Sequence, residues 1–324
     1  MSIRKLISLT LALTLALGLV TFAAADEAAT VRVASLKGPT SMGLVKLMNA
    51  NDNGESAQPY EFTLSGTANE IVPLLTRGEL DIAMVPCNLA SVLYNNTQGK
   101  VKVMAVNTLG VLYVLESGDE IQTVADLAGK TVFSTGKGTT PEFALNYILA
   151  QNGLDPEKDL TVEFKSEAAE VLAALTSDAA AIGVLPQPYV TAALAQNDKL
   201  RVALNFTEEW DKVSEDSRLI TGVAVVRADF AEENPEAVAA FLEEYAASVE
   251  YVNANVEEAA QWIADLGIVA KAPIAQKALP ACNIVFIDGE EMKAAVSGYL
   301  AVLFEQNPES VGGELPDEAF YYIP

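Results

Sequence analysis

Two turns carry the residue types that could bind a small polar ligand. They are residues 35–41 (SLKGPTS) and 134–141 (STGKGTTP), and each joins a β-type run to a helix-type run. A glycine beside a lysine, followed by hydroxyl residues at a helix start, can present free backbone N–H groups and side-chain donors to polar ligand atoms. We predict free N–H groups at positions 41–42 and 138–139. The alternative for either turn alone is a capped helix start with a solvated lysine.

Strand-like and helix-like runs alternate around these turns. Strands are predicted at 31–36, 60–64, 80–85, 101–106, 111–115, 130–133, 160–164, 180–184 and 200–204. Helices are predicted between them at 42–50, 68–76, 88–94, 143–151, 168–176 and 190–195. The repeated order predicts an α/β fold with largely parallel sheets. The last third adds a strand at 221–226 and helices at 235–253, 256–266, 272–281 and 290–305.

Residues 1–25 have the features of a secretory signal. Arg4 and Lys5 precede an apolar run at 6–20, and the small residues at 23–25 form an A-x-A cleavage site. An uncleaved anchor is the alternative. No cysteine lies near the cleavage site to carry a lipid, and no later run reaches the roughly 18 apolar residues that span a bilayer. We predict a soluble exported protein at the periplasmic or extracellular face of the cell membrane.

The composition excludes several classes of function. The formal net charge is −24, which opposes binding to nucleic acid and to anionic membranes. The chain has no histidine, which excludes Ser-His-Asp and Cys-His catalysis and histidine-based metal sites. We predict no catalytic residue, no cofactor and no metal. Cys87 and Cys282 are expected to be separately buried thiols, with a disulfide as the alternative.

Four passages resemble those of a known family, and they occur in the family's order. They are residues 77–83 (RGELDIA), 125–132 (ADLAGKTV), 180–189 (AAIGVLPQPY) and 230–238 (FAEENPEAV). They are similar to passages of the type 2 solute-binding proteins of ABC importers, in the branch that includes nitrate, sulfonate or taurine, and thiamine-precursor binders. The resemblance spans roughly residues 30–305 and is specific for the fold and the transport role rather than for the ligand.

The resemblance implies a two-lobed periplasmic-binding-protein type 2 fold with a hinge. Lobe I would comprise residues 30–112 and 218–324, and lobe II residues 113–217. Each lobe would contain a mostly parallel sheet flanked by helices. Two extended connections, near 109–115 and 206–220, would cross between the lobes.

Ligands in such a fold bind beyond the carboxyl ends of strands, where helices begin. The predicted ligand-binding residues at or beside such strand ends are Lys37, Gly38, Pro39, Thr40, Ser41, Met42, Thr67, Asn88, Leu89, Gly136, Gly138, Thr139, Thr140, Gln187, Pro188 and Tyr189. Thr221, at the start of the predicted strand 221–226, is also a predicted ligand-binding residue. Alternative roles remain for four of them: Met42 and Leu89 as core, Tyr189 as surface, and Asn88 as a helix cap. An inward lysine would favour a carboxylate, sulfonate or phosphate ligand. The absence of arginine from these turns weakens a nitrate or sulfonate assignment.

Three functions remain open. The primary hypothesis is a monomeric, non-enzymatic binding protein that delivers a small organic ligand to an ABC permease by hinge closure. The second is an exported enzyme on the same fold. It would need lysine or aspartate chemistry, because histidine is absent. The third is a sensory ligand-binding module that uses the same cleft.

Overall fold

The computed structural model of the protein describes residues 30–323. The predicted signal segment at 1–25 lies outside the described residues. Among the described residues, no helix combines the length and the apolar character that crossing a membrane requires.

The strands form two sheets. Their bounds are β1 Val31–Leu36, β2 Tyr60–Ser65, β3 Ile82–Pro86, β4 Val101–Leu109, β5 Leu112–Ser117, β6 Thr131–Thr135, β7 Thr161–Lys165, β8 Ile182–Pro186, β9 Leu200–Asn205, β10 Ile220–Arg227 and β11 Ile284–Ile287. Sheet I has the strand order β11-β4-β10-β3-β1-β2, and sheet II has the order β7-β6-β8-β5-β9.

Helices flank both sheets. Their bounds are α1 Pro39–Met42, α2 Val45–Asp52, α3 Ala68–Thr76, α4 Cys87–Thr97, α5 Thr140–Gln151, α6 Ala168–Ser177, α7 Tyr189–Gln196, α8 Phe206–Val213, α9 Ala228–Glu233, α10 Pro235–Ala254, α11 Val256–Asp265, α12 Ala272–Ala278 and α13 Gly289–Gln306. The predicted α/β class is confirmed.

The sheets are mixed, whereas largely parallel sheets are predicted. Strand β1 is parallel to β2 and β3, and β6 is parallel to β7 and β8. The chain enters sheet II at β5 and returns to sheet I at β10. Both of these strands run antiparallel to their two neighbours. The two crossings therefore account for the antiparallel strands at the centre of the fold.

The two sheets repeat one arrangement of strands. Val33 of β1 pairs with Ile82 of β3, and Val132 of β6 pairs with Ile182 of β8. A helix links the second and third strands of each unit, α3 in one and α6 in the other. The two lysine-glycine turns therefore occupy equivalent positions, directly after β1 and β6.

The two crossings between the sheets meet at Gly110. The first crossing is the short link from β4 to β5, and the second contains α8 and the segment that leads into β10. The Gly110 carbonyl accepts hydrogen bonds from Thr207 Oγ1 at 3.1 Å and from Asn283 Nδ2 at 2.5 Å. A Cβ atom at position 110 would lie 2.7 Å from Leu219 Cδ2. Only glycine therefore fits between the two crossings without a shift of its neighbours.

Apolar packing continues from sheet I to sheet II through these crossings. One cluster of buried side chains includes Val106 of β4, Val114 of β5, Trp210 of α8 and Tyr299 of α13. A second cluster covers the opposite face of sheet I, where α10 contributes Tyr245. The C-terminal part of the chain is therefore part of the sheet I core.

The predicted helix at 42–50 begins at the wrong residue. The first lysine-glycine turn leads into the four-residue helix α1, and α2 starts only at Val45. A Cβ atom at Gly43 would lie 2.9 Å from Val249 Cγ2, so the break brings the backbone close to α10. Helix α8 lies in the connection at 206–220 that is predicted to be extended, so that prediction is wrong for its first half. Helix α9 and strand β11 lie where no element is predicted, because short elements leave little periodicity to detect.

A buried carboxylate joins three strands of sheet I. The side chain of Asp81 is 2% exposed and accepts from the Arg32 backbone N–H, Nε and Nη2 at 2.9, 2.9 and 2.5 Å, and from Arg227 Nη2 at 3.2 Å. Burial alone would raise the pKa of Asp81. The hydrogen bonds and charge of Arg32, with a hydrogen bond from Arg227, outweigh burial and hold the pKa below its ordinary value of 3.8.

The substitution Asp81→Asn should lower the free energy of unfolding by about 2–4 kcal/mol at neutral pH, because two arginines lose their buried counter-charge. Since the folded-state pKa of Asp81 is depressed, the stabilisation that its ionised carboxylate gives the wild type is complete well above pH 3.8. It is lost as the pH falls through the folded-state value. Urea denaturation of both proteins from neutral to acidic pH measures the difference.

The matched control is Asp229→Asn. Asp229 also pairs with Arg227, at 2.9 Å, but its side chain is 63% exposed, so the expected loss is below about 1 kcal/mol. Equal losses of unfolding free energy in the two variants, or a difference between them that persists in acid, would contradict a stabilising role of the buried Asp81 carboxylate.

Candidate functional site

The candidate site consists of the loops at the carboxyl ends of the parallel strands. In sheet I these loops and the adjoining ends of β4 and β10 comprise residues 36–42, 65–67, 86–89, 107–109 and 221–222, here called carboxyl edge I. In sheet II they comprise residues 135–140, 165–167 and 186–189, here called carboxyl edge II. Parallel strands place their carboxyl ends on one side of a sheet, so the loops of each carboxyl edge lie near one another.

The two carboxyl edges meet at the first crossing. Leu109 at the end of β4 pairs with Ile220 at the start of β10, within carboxyl edge I. After the two-residue link, Leu112 of β5 pairs with Pro186, at the end of β8. The Gln187 N–H then donates to the Val111 carbonyl at 3.0 Å. The ends of β4 and β8 are therefore brought together by the chain itself.

The first lysine-glycine turn is held together by its own hydroxyl groups. Gly38 has a φ of 122°, in the region that glycine adopts without strain. Thr40 Oγ1 donates to the Leu36 carbonyl at 2.9 Å, while the Ser41 Oγ and N–H both donate to the Gly38 carbonyl, at 3.0 and 3.1 Å. The Ser41 N–H is therefore not free, which corrects the prediction. Lys37 is exposed, and its Nζ would lie 3.8 Å from a Cβ atom at Gly267.

The hydrogen-bond donors of the second lysine-glycine turn are also largely paired with acceptors in or beside the turn. The Gly138 N–H donates to Glu142 Oε2 at 2.5 Å, and the Thr139 N–H and Oγ1 donate to the Gly136 carbonyl at 3.0 and 2.6 Å. The predicted free N–H groups at positions 138 and 139 are therefore wrong. Lys137 is exposed, with its Nζ 5.9 Å from the centre of the Phe164 ring.

Several other predicted site residues have structural contacts. Met42 is fully buried in the cluster that includes Tyr245, and Leu89 is partly buried against the other cluster, which includes Trp210. Asn88 Nδ2 donates to the Ser310 carbonyl at 3.3 Å, so its amide holds the C-terminal segment. Gln187 is buried, and its Oε1 accepts from the Thr191 N–H and Oγ1 at 3.3 and 2.8 Å.

The remaining predicted residues differ in accessibility. Thr67 is exposed at the N-cap of α3, and Tyr189 is 41% exposed at the start of α7. Thr140 is nearly buried at the start of α5. The half-buried ones are Pro39, Gly136, Pro188 and Thr221. Their roles in binding stay predictions.

Polar side chains that are not predicted from the sequence lie buried near carboxyl edge I. Asn107 Nδ2 donates to the Thr40 carbonyl at 3.4 Å, whereas Asn107 Oδ1 and Thr108 Oγ1 have no hydrogen-bond partner among the described residues. A Cβ atom at Gly222 would lie 2.5 Å from both Asn107 Oδ1 and Thr40 Cγ2. The sequence feature that could have indicated Asn107 and Thr108 is their position as a polar pair directly after the predicted strand at 101–106.

The described residues contain no group of three or more acidic or cysteine side chains arranged to hold a metal ion. Cys87 and Cys282 are both free and buried, which confirms the expectation of separate thiols over a disulfide. Burial raises the pKa of both thiols, that of Cys282 to about 12. Neither is therefore a thiolate at neutral pH.

Two sheets flanked by helices are joined by two crossings at their carboxyl edges, and this arrangement is a mixed α/β fold. A family model described as ABC transporter, phosphonate, periplasmic substrate-binding protein matches residues 53–279, and the chain belongs to this family. It is therefore a periplasmic substrate-binding protein of an ABC importer, a type that binds a small ligand and works with a permease. The predicted resemblance is confirmed.

Solved structures share the fold. A crystal structure of an ABC transporter from Parabacteroides distasonis is 24% identical, with a TM-score of 0.75 over 92% of this chain and 99% of that chain. The periplasmic aliphatic sulphonate binding protein SsuA from Escherichia coli is 18% identical, with a TM-score of 0.68 over 90% and 95%.

A third structure is the alkanesulfonate-binding protein SsuA from Xanthomonas axonopodis pv. citri bound to MOPS. It is 16% identical, with a TM-score of 0.64 over 90% of this chain and 96% of that chain. At these identities the likeness shows the fold. No curated protein matches the sequence at a significant level.

The substitution Gly222→Ala should lower the free energy of unfolding by about 1–3 kcal/mol, because the new methyl group overlaps Asn107 and Thr40. Urea denaturation measures the loss. The control is Gly66→Ala, also on carboxyl edge I, where nothing lies within 4 Å of the new Cβ and φ is not positive. Equal stabilities of the two variants would show that Asn107 and Thr40 are not held closely against β10.

Proposed function

We propose that the protein binds one small organic ligand in a cleft between carboxyl edges I and II and delivers it to the permease of an ABC importer. The observation that carries the proposal is the joining of the two edges at residues 109–112. In this proposal residues 30–112 and 218–324 form lobe I, and residues 113–217 form lobe II. The lobes rotate about the two crossings, as in other hinged binding proteins.

Buried polar groups from both lobes would hold the ligand. On the lobe I side, Asn107 Oδ1 and Thr108 Oγ1 have no hydrogen-bond partner within residues 30–323. On the lobe II side, Thr140 begins the twelve-residue helix α5, and Gln187 uses only its Oε1 in hydrogen bonds within the described residues. Each satisfied buried hydrogen bond contributes on the order of 1 kcal/mol, so several together with apolar contact support micromolar affinity.

The chemistry of Asn107 favours a ligand that donates hydrogen bonds. The Thr40 carbonyl can accept only from the amide nitrogen of Asn107, and the amide oxygen has no hydrogen-bond partner in the part of the chain that the structure describes. A free acceptor pairs with an N–H or O–H group. A fully ionised oxyanion without such a group would leave it unpaired.

The placement of the lysines near the cleft agrees with this ligand class. Lys37 and Lys137 are exposed at the two turns, and Lys165 lies 4.6 Å from the centre of the Phe133 ring and 3.2 Å from Glu163. None of the three is buried, so each retains its hydration and adds little to anion binding. The proposed ligand is therefore an organic molecule with amino, amide or hydroxyl groups, with or without a peripheral anionic group.

A binding screen tests the proposed function. Native mass spectrometry of the protein as purified, followed by isothermal titration and small-angle scattering, should identify a compound that binds one to one and decreases the radius of gyration. The titrations would use methylphosphonate, ethanesulfonate, taurine, MOPS and an aminopyrimidine. Wild-type protein that neither binds nor compacts with any compound would refute the proposal.

Thr140→Val should weaken binding about five- to ten-fold, because the valine keeps the shape of threonine and removes a buried hydroxyl. Thr131→Val is the matched control. Thr131 is exposed at the opposite end of β6, away from carboxyl edge II. Titration of both variants with the compound that binds the wild type measures the effect, and equal affinities would place Thr140 outside the site.

A further inference from the structure

A cavity lies at the edge of sheet I opposite carboxyl edge I, here called the amino-edge cavity. It is bounded by the C-terminal ends of α3 and α4, the start of β4 and the start of α9, and its volume is about 410 Å³. Small-molecule sites occupy roughly 300–1,000 Å³. Strand β4 runs from Val101 at the cavity to Leu109 at carboxyl edge I, a length of about 25 Å. The amino-edge cavity is therefore separate from the proposed cleft.

The inner wall of the amino-edge cavity is apolar. Leu75, Leu93 and Val101 line it, and each of them is at most 4% exposed. All three belong to the cluster of buried side chains that includes Trp210. An apolar group of a ligand that packs against this wall would extend the core of sheet I and leave water, which is favourable.

Two charged side chains of the lining have no ion-pair partner within residues 30–323. Lys100 is exposed at the start of β4, and Glu232 is exposed on α9. A ligand with a single charge of either sign would meet one unpaired side chain of the same sign. A ligand with one positive and one negative group offers each side chain an opposite charge.

Arg227 adds a second cationic group to the wall. Its Nη1 atom lies 2.9 Å from the position that a Cβ atom at Gly78 would occupy, so the missing side chain leaves room for the guanidinium beside the cavity. Arg227 Nη1 and Nη2 donate to Asp229 and Asp81, and each of these nitrogen atoms carries a second N–H group. The guanidinium therefore retains donors for a carboxylate.

Two threonines of the lining add acceptors for an ammonium group. Thr76 and Thr97 are the last residues of α3 and α4. Their hydroxyl groups donate to carbonyls of their own helices at 2.5 and 2.6 Å, so the hydroxyl oxygens can still accept. The C-terminal ends of helices also carry partial negative charge, which favours a cationic group nearby.

We propose that the amino-edge cavity binds a zwitterionic amino acid with an apolar side chain. The carboxylate of the ligand pairs with Lys100 and Arg227, its ammonium group pairs with Glu232, and its side chain packs against the apolar wall. The inference does not depend on the proposed function, because none of the residues that line this cavity belongs to either carboxyl edge.

The first test compares three probes that differ only in charge. L-leucine has both charged groups, 4-methylpentanoate lacks the ammonium group, and 3-methylbutylamine lacks the carboxylate. In isothermal titration L-leucine should bind at least five-fold more tightly than either analogue, because each analogue leaves one charged side chain unpaired. In NMR spectra of the full protein, L-leucine should shift the amide signals of residues 97–101 and 227–232.

The second test removes one charge of the lining at a time. Lys100→Gln and Glu232→Gln should each weaken L-leucine binding about two- to five-fold, since both side chains are exposed. The matched controls are Lys102→Gln and Glu233→Gln, charged neighbours that do not line the cavity, and they should bind L-leucine as the wild type does. Circular dichroism checks that all four variants are folded.

Three results would overturn the inference: no binding of L-leucine, equal affinity for the three probes, or unchanged affinity in both Lys100→Gln and Glu232→Gln. Binding that is weakened by Thr140→Val instead would place L-leucine in the proposed cleft and overturn it as well. The outcome of the binding screen for the proposed function does not alter this test, because the two sites share no residue.

Discussion

The close contact of the two crossings at Gly110 is the constraint on which the rest of the fold depends. Thr207 and Asn283 bind the Gly110 carbonyl, and Leu219 occupies the space where a side chain would be. This contact keeps the end of β4 beside the end of β8. Since those strand ends carry the candidate site, the same backbone junction that unites the two sheets also brings the two sets of polar loops together.

The polar loops illustrate how much of a candidate binding motif is used by the protein itself. In both lysine-glycine turns the hydroxyl groups donate to carbonyls of their own turn, because short hydroxyl side chains readily bond to nearby backbone groups. Among the described residues, Asn107 and Thr108 at the end of β4 each have a buried side-chain oxygen without a hydrogen-bond partner. Turn chemistry alone therefore overstates which atoms are available to a ligand.

The family assignment and the local chemistry constrain the ligand in different ways. The family model establishes a substrate-binding protein of an ABC importer. Within that family, we propose that a buried amide oxygen and exposed lysines favour an organic ligand with N–H or O–H groups over a bare oxyanion. The family model specifies the transport role, whereas the side chains near the strand ends bear on the charge of the ligand. The two differ in scope because a fold is shared more widely than the few side chains that select a ligand.

The sequence by itself determined the α/β class, the repeat of two units, most central strands and the transport family, since these follow from periodicity and from motifs along the chain. It also placed the candidate site after the strands. Tertiary structure alone decided that β5 and β10 run antiparallel to their neighbours and that Met42 and Asn88 have structural roles. It also decided that Asn107 and Tyr299 hold buried atoms without a partner among residues 30–323. These features depend on contacts between residues far apart in the chain, and no local pattern records which distant group satisfies a buried donor or acceptor.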